Sequence, residues 1–485
     1  MRGNDWKAIL RFIGIMLVAE GGLMALCLVP ALHFDDGTAW RMAACSAFTL
    51  LMGGIMWSAF ARYRRIDDRR RAYLLVTLLW LVLTIFGALP LLVTGSTSSF
   101  TRAYFESMSG LTTCGATVFP NVAALPASVL LWRSMLQWFG GFGIVLLVLA
   151  LTPRLGINRY ALYTAEASGA DNTGKSAVKT SVTVRRTLAV YLILTVAFVV
   201  ALYLSGMQIW DAVCLTFTNI SSGGFSVASD GIASYSAVQQ YILAAAMLLS
   251  GVNFTLLFYF FTLRWRRISH KLDQFVFYML MCVIALCATA AVLHFRVGMP
   301  AGEAVRLATV QSISSLTTTG TVAADTTVWP VPLVFMLLVL SLCGGMAGST
   351  SGGLKVMRVI ILLRNARGIL RGRLHPRAVD PVRLNGRPVS SHIRANVMVI
   401  FMVFVGVLLI GIMLLMLCGV SATEAIGAAV GCLTGYGPGL GPSGGFGSYA
   451  AFTPAAMWIC SLLMLMGRLE CMTVLVLLLP RFWRR

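Results

Sequence analysis

Charge is scarce in this chain of 485 residues, and negative charge scarcest: Asp and Glu total 17, charged residues of either sign make up 11%, and hydrophobic residues 58%. With a mean hydropathy of +0.84, a water-soluble globular protein is excluded. Histidine is equally thin. His33, His270, His294, His375 and His392 are dispersed and no HExxH helix occurs, so the common zinc-hydrolase arrangement is missing. The 11 cysteines form no CxxC pair and show no metal-ligand spacing; set mostly in apolar stretches, they read as small buried hydrophobes, and no disulfide framework follows. A membrane enzyme would need a clustered nucleophile, metal ligands or paired acids at one membrane face. None is visible, so the chain is read as a non-enzyme.

What is abundant is apolar sequence. Ten stretches, roughly 8–32, 42–60, 73–93, 127–151, 187–205, 241–263, 274–295, 331–363 with an interruption, 397–418 and 455–479, are each long enough for a crossing at about 20 residues. Arg2 and Lys7 precede the first, as in a signal peptide, but that stretch is long and lacks a small-residue cleavage site, so it reads as a retained helix. The net charge of +21 does not point to nucleic acid, because the basic residues lie between apolar spans rather than on one face with interleaved aromatics. They alternate by loop instead: 62–71, 154–186, 264–271, 355–394 and the tail from Arg481 to Arg485 are basic, while Arg41, Arg102, Arg133, Arg296 and Arg306 fall on the other side. That asymmetry puts both termini in the cytoplasm.

The chain also repeats itself. Leu111-Thr112-Thr113-Cys114-Gly115 returns as Leu316-Thr317-Thr318-Thr319-Gly320, with looser copies at Ile220-Ser221-Ser222-Gly223-Gly224 and Leu433-Thr434-Gly435-Tyr436-Gly437. The first and third agree most closely, since Ser107, Ser109 and Leu111 also match Ser312, Ser314 and Leu316 at one offset. In the second, Gly223 or Gly224 is the registered glycine, and Ser221-Ser222 set against Thr112-Thr113 favours Gly224. Ahead of each turn lies a short helix-like stretch: Arg102 to Ser109, Trp210 to Asn219, Gly302 to Ser315 and Thr423 to Cys432.

The expected fold is thus an all-α polytopic membrane protein. Two N-terminal helices (1–70) precede four pseudo-fourfold repeats of helix, pore half-helix, filter loop and helix (71–155, 156–268, 269–375 and 376–485) around a central pore. Non-helical backbone at membrane depth is tolerated only inside protein or along a watery cavity. Half-helices ending at the turns aim their negative carbonyl ends at a cation. Ser421-Ala422-Thr423-Glu424 fits a capping box opening the fourth half-helix, and Asp211 occupies the matching place in the second. Both acids read equally as ion contacts or as plain helix-start residues. No turn carries an acid between its first Thr or Ser and its Gly, which argues against a carboxylate ring for divalent ions. K⁺ is comparatively easily dehydrated, and uncharged carbonyls suit it. Asp230 and Asp325, shortly after their glycines, are either mouth charges or solvated loop acids.

The fourfold pattern, Phe105 through Thr113, Gly223-Gly224-Phe225-Ser226, Gly344-Gly345-Met346-Ala347-Gly348-Ser349-Thr350-Ser351-Gly352-Gly353-Leu354-Lys355 and Gly467-Arg468-Leu469-Glu470 resemble the membrane subunit of Trk-type K⁺ uptake systems, in the Trk/Ktr/HKT superfamily. The resemblance spans essentially the whole chain, and the two leading helices are similar to the Trk branch. It implies K⁺ uptake across the bacterial inner membrane, with K⁺ as the transported ion and no covalently bound cofactor. The implied selectivity filter is the main chain of Thr112 to Gly115 (with Thr113 and Cys114), Ser221 to Gly224 (with Ser222 and Gly223), Thr317 to Gly320 (with Thr318 and Thr319) and Thr434 to Gly437 (with Gly435 and Tyr436). It further implies a homodimer in membrane lipid with a pore in each subunit, and a cytoplasmic nucleotide-binding ring as regulatory partner. Relatives with Ser at the first filter glycine pass Na⁺ more readily; Gly115 is kept here. Cys114, where Thr is more usual, and Thr434-Gly435-Tyr436-Gly437, closer in form to tetrameric K⁺ channels, depart from the pattern. If Cys114 faced the axis, the filter geometry would be in doubt.

The run containing Gly344, Gly345, Gly348, Gly352 and Gly353 is too poor in helix propensity for an unbroken membrane helix. It reads as a movable gating loop, in line with the resemblance, or as a close-packing glycine face. Its end superficially matches a phosphate loop, but Lys355 does not directly follow the last glycine and no strand precedes it. Arg468 inside an apolar stretch is either a cationic barrier below the filter or half of a pair with an acid. A cation symporter coupling K⁺ to H⁺ or Na⁺ is the alternative, with Glu20, Glu106 and Glu470 as the candidate coupling groups. The basic segments from Arg358 to Arg394 and Arg154 to Arg186 are candidate docking surfaces for the ring or for anionic lipid.

Overall fold

The computed structural model describes residues 3–63, 69–155, 176–263, 272–375 and 381–483. Of the residues singled out above, Arg2, His270 and Arg485 lie outside that part, as do 64–68, 156–175, 264–271 and 376–380 of the basic stretches. The described chain is almost wholly helical. Helix α1 (Gly3–Leu26), its short continuation α2 (Leu28–His33) and α3 (Ala39–Ala59) form a leading hairpin. Its two long helices meet at glycines: a Cβ on Gly53 would stand 2.8 Å from the Gly14 carbonyl oxygen, and one on Gly14 2.7 Å from the Trp57 nitrogen. Without a hydrophobic drive between helices in lipid, such close backbone approach is what holds a pair together.

Four units follow. The first is α4 (Arg69–Val93), the short α5 (Phe100–Leu111) and α6 (Ala127–Leu155); the second is α7 (Ser176–Leu204), α8 (Ile209–Ile220), α9 (Ala237–Ser250) and α10 (Phe254–Phe261). The third is α11 (Leu272–Phe295), α12 (Ala301–Leu316), α13 (Val331–Cys343) and α14 (Val356–Leu374); the fourth is α15 (Ser391–Leu417), α16 (Ala422–Thr434), α17 (Pro454–Arg468) and α18 (Cys471–Leu478). Among the described residues six helices are long and apolar enough to cross a bilayer, or up to eight if each sharply bent pair counts as one span. A two-stranded hairpin, β1 (Arg383–Leu384) with β2 (Arg387–Pro388), turns at Asn385 and Gly386, both left-handed as that turn requires.

Two of the continuous spans expected from sequence are broken. The 241–263 stretch bends by 108° between α9 and α10, where the Asn253 side chain accepts from the Thr255 and Leu256 nitrogens and starts a new helix. The 455–479 stretch bends by 113° just after Arg468. The interruption expected in the eighth stretch is present, with 344–355 non-helical between α13 and α14.

The short helices α5, α8, α12 and α16 are buried along most of their length, although they carry Ser, Thr, Gln and Glu. Ser421 caps α16 by accepting from the Glu424 nitrogen, 3.4 Å, while the Glu424 carboxylate accepts from the Ser421 hydroxyl, 2.8 Å, so only half of the expected capping box forms. A full capping box stands instead at Ser236 and Gln239, opening α9. Asp211, in the first turn of α8, accepts from the Tyr235 hydroxyl at 2.9 Å.

Arg133 is not an external loop charge. It lies on α6 with its side chain 1% exposed, donating from Nε to Oε1 of the fully buried Glu106 on α5 at 2.8 Å. The same carboxylate accepts from the Thr117 hydroxyl and from the Val118 nitrogen, 2.8 Å, and the guanidinium donates to the Ser226 carbonyl and sits 4.1 Å from the Phe225 ring centroid. This pair joins α5 and α6 to the segments that leave the first and second turns. Removing one member strands a buried charge, which costs on the order of 3–5 kcal/mol. We expect Arg133→Met or Glu106→Gln alone to lower the melting temperature of the detergent-solubilised protein sharply, and the double replacement to be milder than the worse single. A double variant as unstable as the sum of both singles would contradict the pairing.

Candidate functional site

The four turns have one backbone form. After α5, α8 and α12 the first turn residue is right-handed: Thr112 has φ −80°, Ser221 −78° and Thr317 −80°. The second is left-handed: φ is 54° at Thr113, 57° at Ser222 and 54° at Thr318, and Gly435 takes the same place after α16 with 74°. The fourth is left-handed glycine, with φ 86° at Gly115, 75° at Gly224, 78° at Gly320 and 88° at Gly437. Gly223 is not left-handed, so Gly224 is the registered glycine of the second copy. A left-handed Thr or Ser is strained, and the same strain recurs in three repeats. At the first position each hydroxyl folds back on the carbonyl four residues earlier: Thr112 on Met108 at 2.6 Å, Ser221 on Phe217 at 2.7 Å, Thr317 on Ile313 at 2.7 Å and Thr434 on Val430 at 2.8 Å.

The turns meet in a closed ring. A Cβ on Gly115 would collide with the carbonyl oxygen of Gly223, one on Gly224 with that of Thr319, one on Gly320 with that of Tyr436, and one on Gly437 with that of Cys114. Each repeat thus presents a glycine to the third-position carbonyl of the next, and the fourth returns to the first. The third-position side chains point behind the turns. Cys114 is fully buried with Sγ 3.6 Å from the Gly431 carbonyl oxygen, Tyr436 accepts at its hydroxyl from Ser315 at 3.1 Å, and Thr319 bonds Thr317, hydroxyl to hydroxyl, at 2.7 Å. The Cys114 side chain thus packs against α16.

On one side of the ring a small cavity of about 70 Å³ is lined by all four glycines together with Thr117, Arg133, Phe225, Val322, Pro438 and Tyr449. Asp230 and Asp325 do not line it. Asp325 accepts from the nitrogen and hydroxyl of Thr327 at 2.9 and 2.7 Å, and Asp230 from the Ser234 hydroxyl at 3.3 Å, so both are loop acids engaged locally.

On the other side the glycine-rich segment is hydrogen-bonded to three of the turns. The Gly352 nitrogen donates to Thr318 Oγ1 at 2.6 Å and the Gly353 nitrogen to the Thr434 carbonyl at 2.9 Å; the Thr350 hydroxyl bonds Ser222 Oγ at 2.9 Å. Gly344, Gly348 and Gly353 have φ of 68°, 82° and 68°, so the segment is an irregular loop with left-handed corners. A Cβ on Gly345 would lie 2.5 Å from Ser351 Oγ, so that glycine is also a point of close approach. Arg468 meets this loop. Its Nη1 donates to the Thr350 carbonyl at 2.8 Å and its Nη2 to the Gly140 carbonyl at 3.2 Å. The expected alternative of an acidic partner does not hold: among the described residues Arg468 contacts no carboxylate, and Glu470 pairs with Arg358 at 2.8 Å instead. Lys355 donates to the Ser351 carbonyl at the base of the loop.

Of the carboxylates weighed as coupling groups, Glu106 is bound to Arg133 and Glu470 to Arg358. Glu20 is fully buried on α1 near Gly87 and Ser107, and among the described residues neither of its oxygens has a hydrogen-bond partner. Sequence reasoning missed the groups that brace the turns from behind. Gln137 of α6 donates to the Gly223 carbonyl at 2.8 Å, Tyr449 donates to the Gly437 carbonyl at 2.8 Å, and Asn219 accepts from the Thr321 hydroxyl at 2.8 Å. The available signal was a glutamine and an arginine one helical turn apart inside an apolar stretch, where polar side chains need partners.

The chain as a whole is similar to known proteins. The family model for TrkH, described as a cation transport protein, matches residues 40–485. The chain is 33% identical over 482 residues to the Trk system potassium uptake protein TrkH of Escherichia coli (strain K12), covering 99% of each sequence. It is 34% identical over 491 residues to the protein of the same name in Halomonas elongata, again covering 99% of each. The crystal structure of the potassium transporter TrkH from Vibrio parahaemolyticus superposes with a TM-score of 0.90 at 31% identity, covering both chains completely. A multi-pass membrane chain whose four turns close on one axis, matched along its whole length, belongs to the TrkH family of cation transport proteins.

Proposed function

We propose that this protein carries K⁺ inward across the bacterial inner membrane through the ring of turns, with main-chain carbonyls replacing the ion's water. The observation that carries the reading is the cyclic interlock of Gly115, Gly224, Gly320 and Gly437 with the carbonyls of Gly223, Thr319, Tyr436 and Cys114. Alternating right- and left-handed residues turn successive carbonyls to the same side, and the first-position hydroxyls are occupied by their own helices, so the lining is main chain. Four helix C-termini add partial negative charge. With no acid in the turns, the site favours a monovalent ion held loosely enough to leave. A membrane potential of 100 mV contributes about 2.3 kcal/mol per charge to inward movement.

The loop from Gly344 to Gly353 serves as the gate below this filter, with Arg468 as its tether. Its hydrogen bonds to Ser222, Thr318 and Thr434 support that role, because a peptide segment bound directly beneath the turns lies in the ion's path. Opening requires those bonds to be exchanged for others, which a cytoplasmic regulatory ring would drive through α14. The basic loops favour both termini in the cytoplasm, and the resemblance to Trk-type systems implies a homodimer in lipid that binds such a ring. A coupled symporter has less support, since two of its three candidate groups, Glu106 and Glu470, are each held by an arginine, which leaves Glu20 alone to carry coupling.

Rubidium uptake into proteoliposomes tests the reading: K⁺ and unlabelled Rb⁺ should compete, Na⁺ weakly, and the flux should not depend on a proton gradient. Equal competition by Na⁺ would sink it. In Gly115→Ser the new side chain displaces the Gly223 carbonyl, so Na⁺ permeability relative to K⁺ should rise roughly tenfold, equivalent to about 1.4 kcal/mol between the two ions; unchanged reversal potentials would count against the ring. Arg468→Ala removes both tethers and should raise basal flux several-fold. A folded variant with wild-type flux would reduce Arg468 to packing.

A further inference from the structure

We propose that Gln137 of α6 is a specificity-determining positioning residue of the second filter turn, standing in for the side chain that Gly223 lacks. This rests on the pore reading above. At the third position of the other turns a side chain is present to fix the turn: Cys114 and Tyr436 reach a neighbouring repeat, and Thr319 bonds the Thr317 hydroxyl within its own turn. The second turn has glycine there and no anchor of its own. Gln137, fully buried, supplies one from another repeat: its Nε2 donates to the Gly223 carbonyl at 2.8 Å, and its Oε1 accepts from the Phe225 nitrogen at 3.1 Å. One amide therefore clamps the backbone on both sides of Gly224.

The vacancy at Gly223 and the amide belong together. A Cβ on Gly223 would collide with the Gln137 carboxamide, although the backbone there is not left-handed and would otherwise accept a side chain. Among the described residues, Gly223 is also alone of the four ring carbonyls in accepting a hydrogen bond. That bond has two consequences. It fixes the direction of the carbonyl, and it draws electron density from an oxygen meant for the cation, so this quarter of the ring binds more weakly than the rest. A ring with one restrained, weaker oxygen resists the inward collapse that a smaller ion such as Na⁺ requires. Freed from Gln137, the Gly223 carbonyl can swing toward the axis and accommodate it.

The test uses the full chain in proteoliposomes, with Rb⁺ uptake competed by K⁺ or Na⁺. Gln137→Met keeps the volume and loses both bonds; Rb⁺ uptake should persist while the preference for K⁺ over Na⁺ falls roughly tenfold. Gly223→Thr alone should be impaired, because its side chain meets Gln137. The double variant Gln137→Ala with Gly223→Thr rebuilds the anchor as in the third turn, and should recover a preference within about threefold of wild type. A transporting Gln137→Met with unaltered preference overturns the proposal. If Gln137→Met does not assemble, as judged by melting in detergent, the double variant decides: folded and discriminating supports the proposal, folded and indiscriminate or unfolded overturns it. A wild-type protein that itself fails to favour K⁺ removes the pore reading, and this inference with it; a selective wild type beside an indifferent Gln137→Met removes the inference alone.

Discussion

A helix that stops halfway across a bilayer leaves its last carbonyls without partners where no water is at hand, and four helices of this protein stop there together. The rest of the structure can be understood as the means of making that affordable. The first-position hydroxyls of Thr112, Ser221, Thr317 and Thr434 take up one carbonyl in each half-helix. The following residues turn left-handed, and the glycines let the four turns approach to within contact of one another's carbonyls. Strain at Thr113, Ser222 and Thr318 persists because half-helix, inner helix and neighbouring turn all constrain the same few residues.

The fourfold plan is carried out unequally, and the inequalities are where side-chain chemistry enters. The first repeat is stiffened by Glu106 and Arg133, a charged pair whose counterpart positions elsewhere are not charged. The second has glycine at both of its last two positions and is held by a glutamine from the first. The fourth uses glycine where the others strain Thr or Ser, and anchors itself through Tyr436 on the third half-helix. Beneath them, one loop bonds to the second, third and fourth turns at once, while Arg468 ties it to the fourth repeat and, through the Gly140 carbonyl, to the first. In the proposed mechanism, gate and filter share hydrogen bonds, so neither can move with the other fully indifferent.

Much of this was legible beforehand because glycine and hydroxyl residues punctuate apolar sequence so clearly. The half-helix read from Arg102 to Ser109 runs Phe100–Leu111, and the break around Gly344 to Gly353 is where composition put it. Other features were hidden for physical reasons. Arg133 was placed with external charges because charge-counting treats an arginine near a span's end as solvated, and its partner Glu106 belongs to another helix. Gln137 could not be linked to Gly223 without knowing that the first repeat's inner helix backs the second repeat's turn. The bends after Ser250 and Arg468 escaped because hydropathy registers length and apolarity, whereas an Asn253 cap or a left-handed Glu470 is a local backbone event.

The central claim is that a dehydrated monovalent cation sits on the axis among the carbonyls of Cys114, Gly223, Thr319 and Tyr436. Anomalous diffraction from crystals grown in Rb⁺ measures this directly. The account predicts a peak at the centre of that ring, lost when Na⁺ replaces Rb⁺. Strong Rb⁺ peaks elsewhere in the molecule, with none between the four carbonyls, would contradict it.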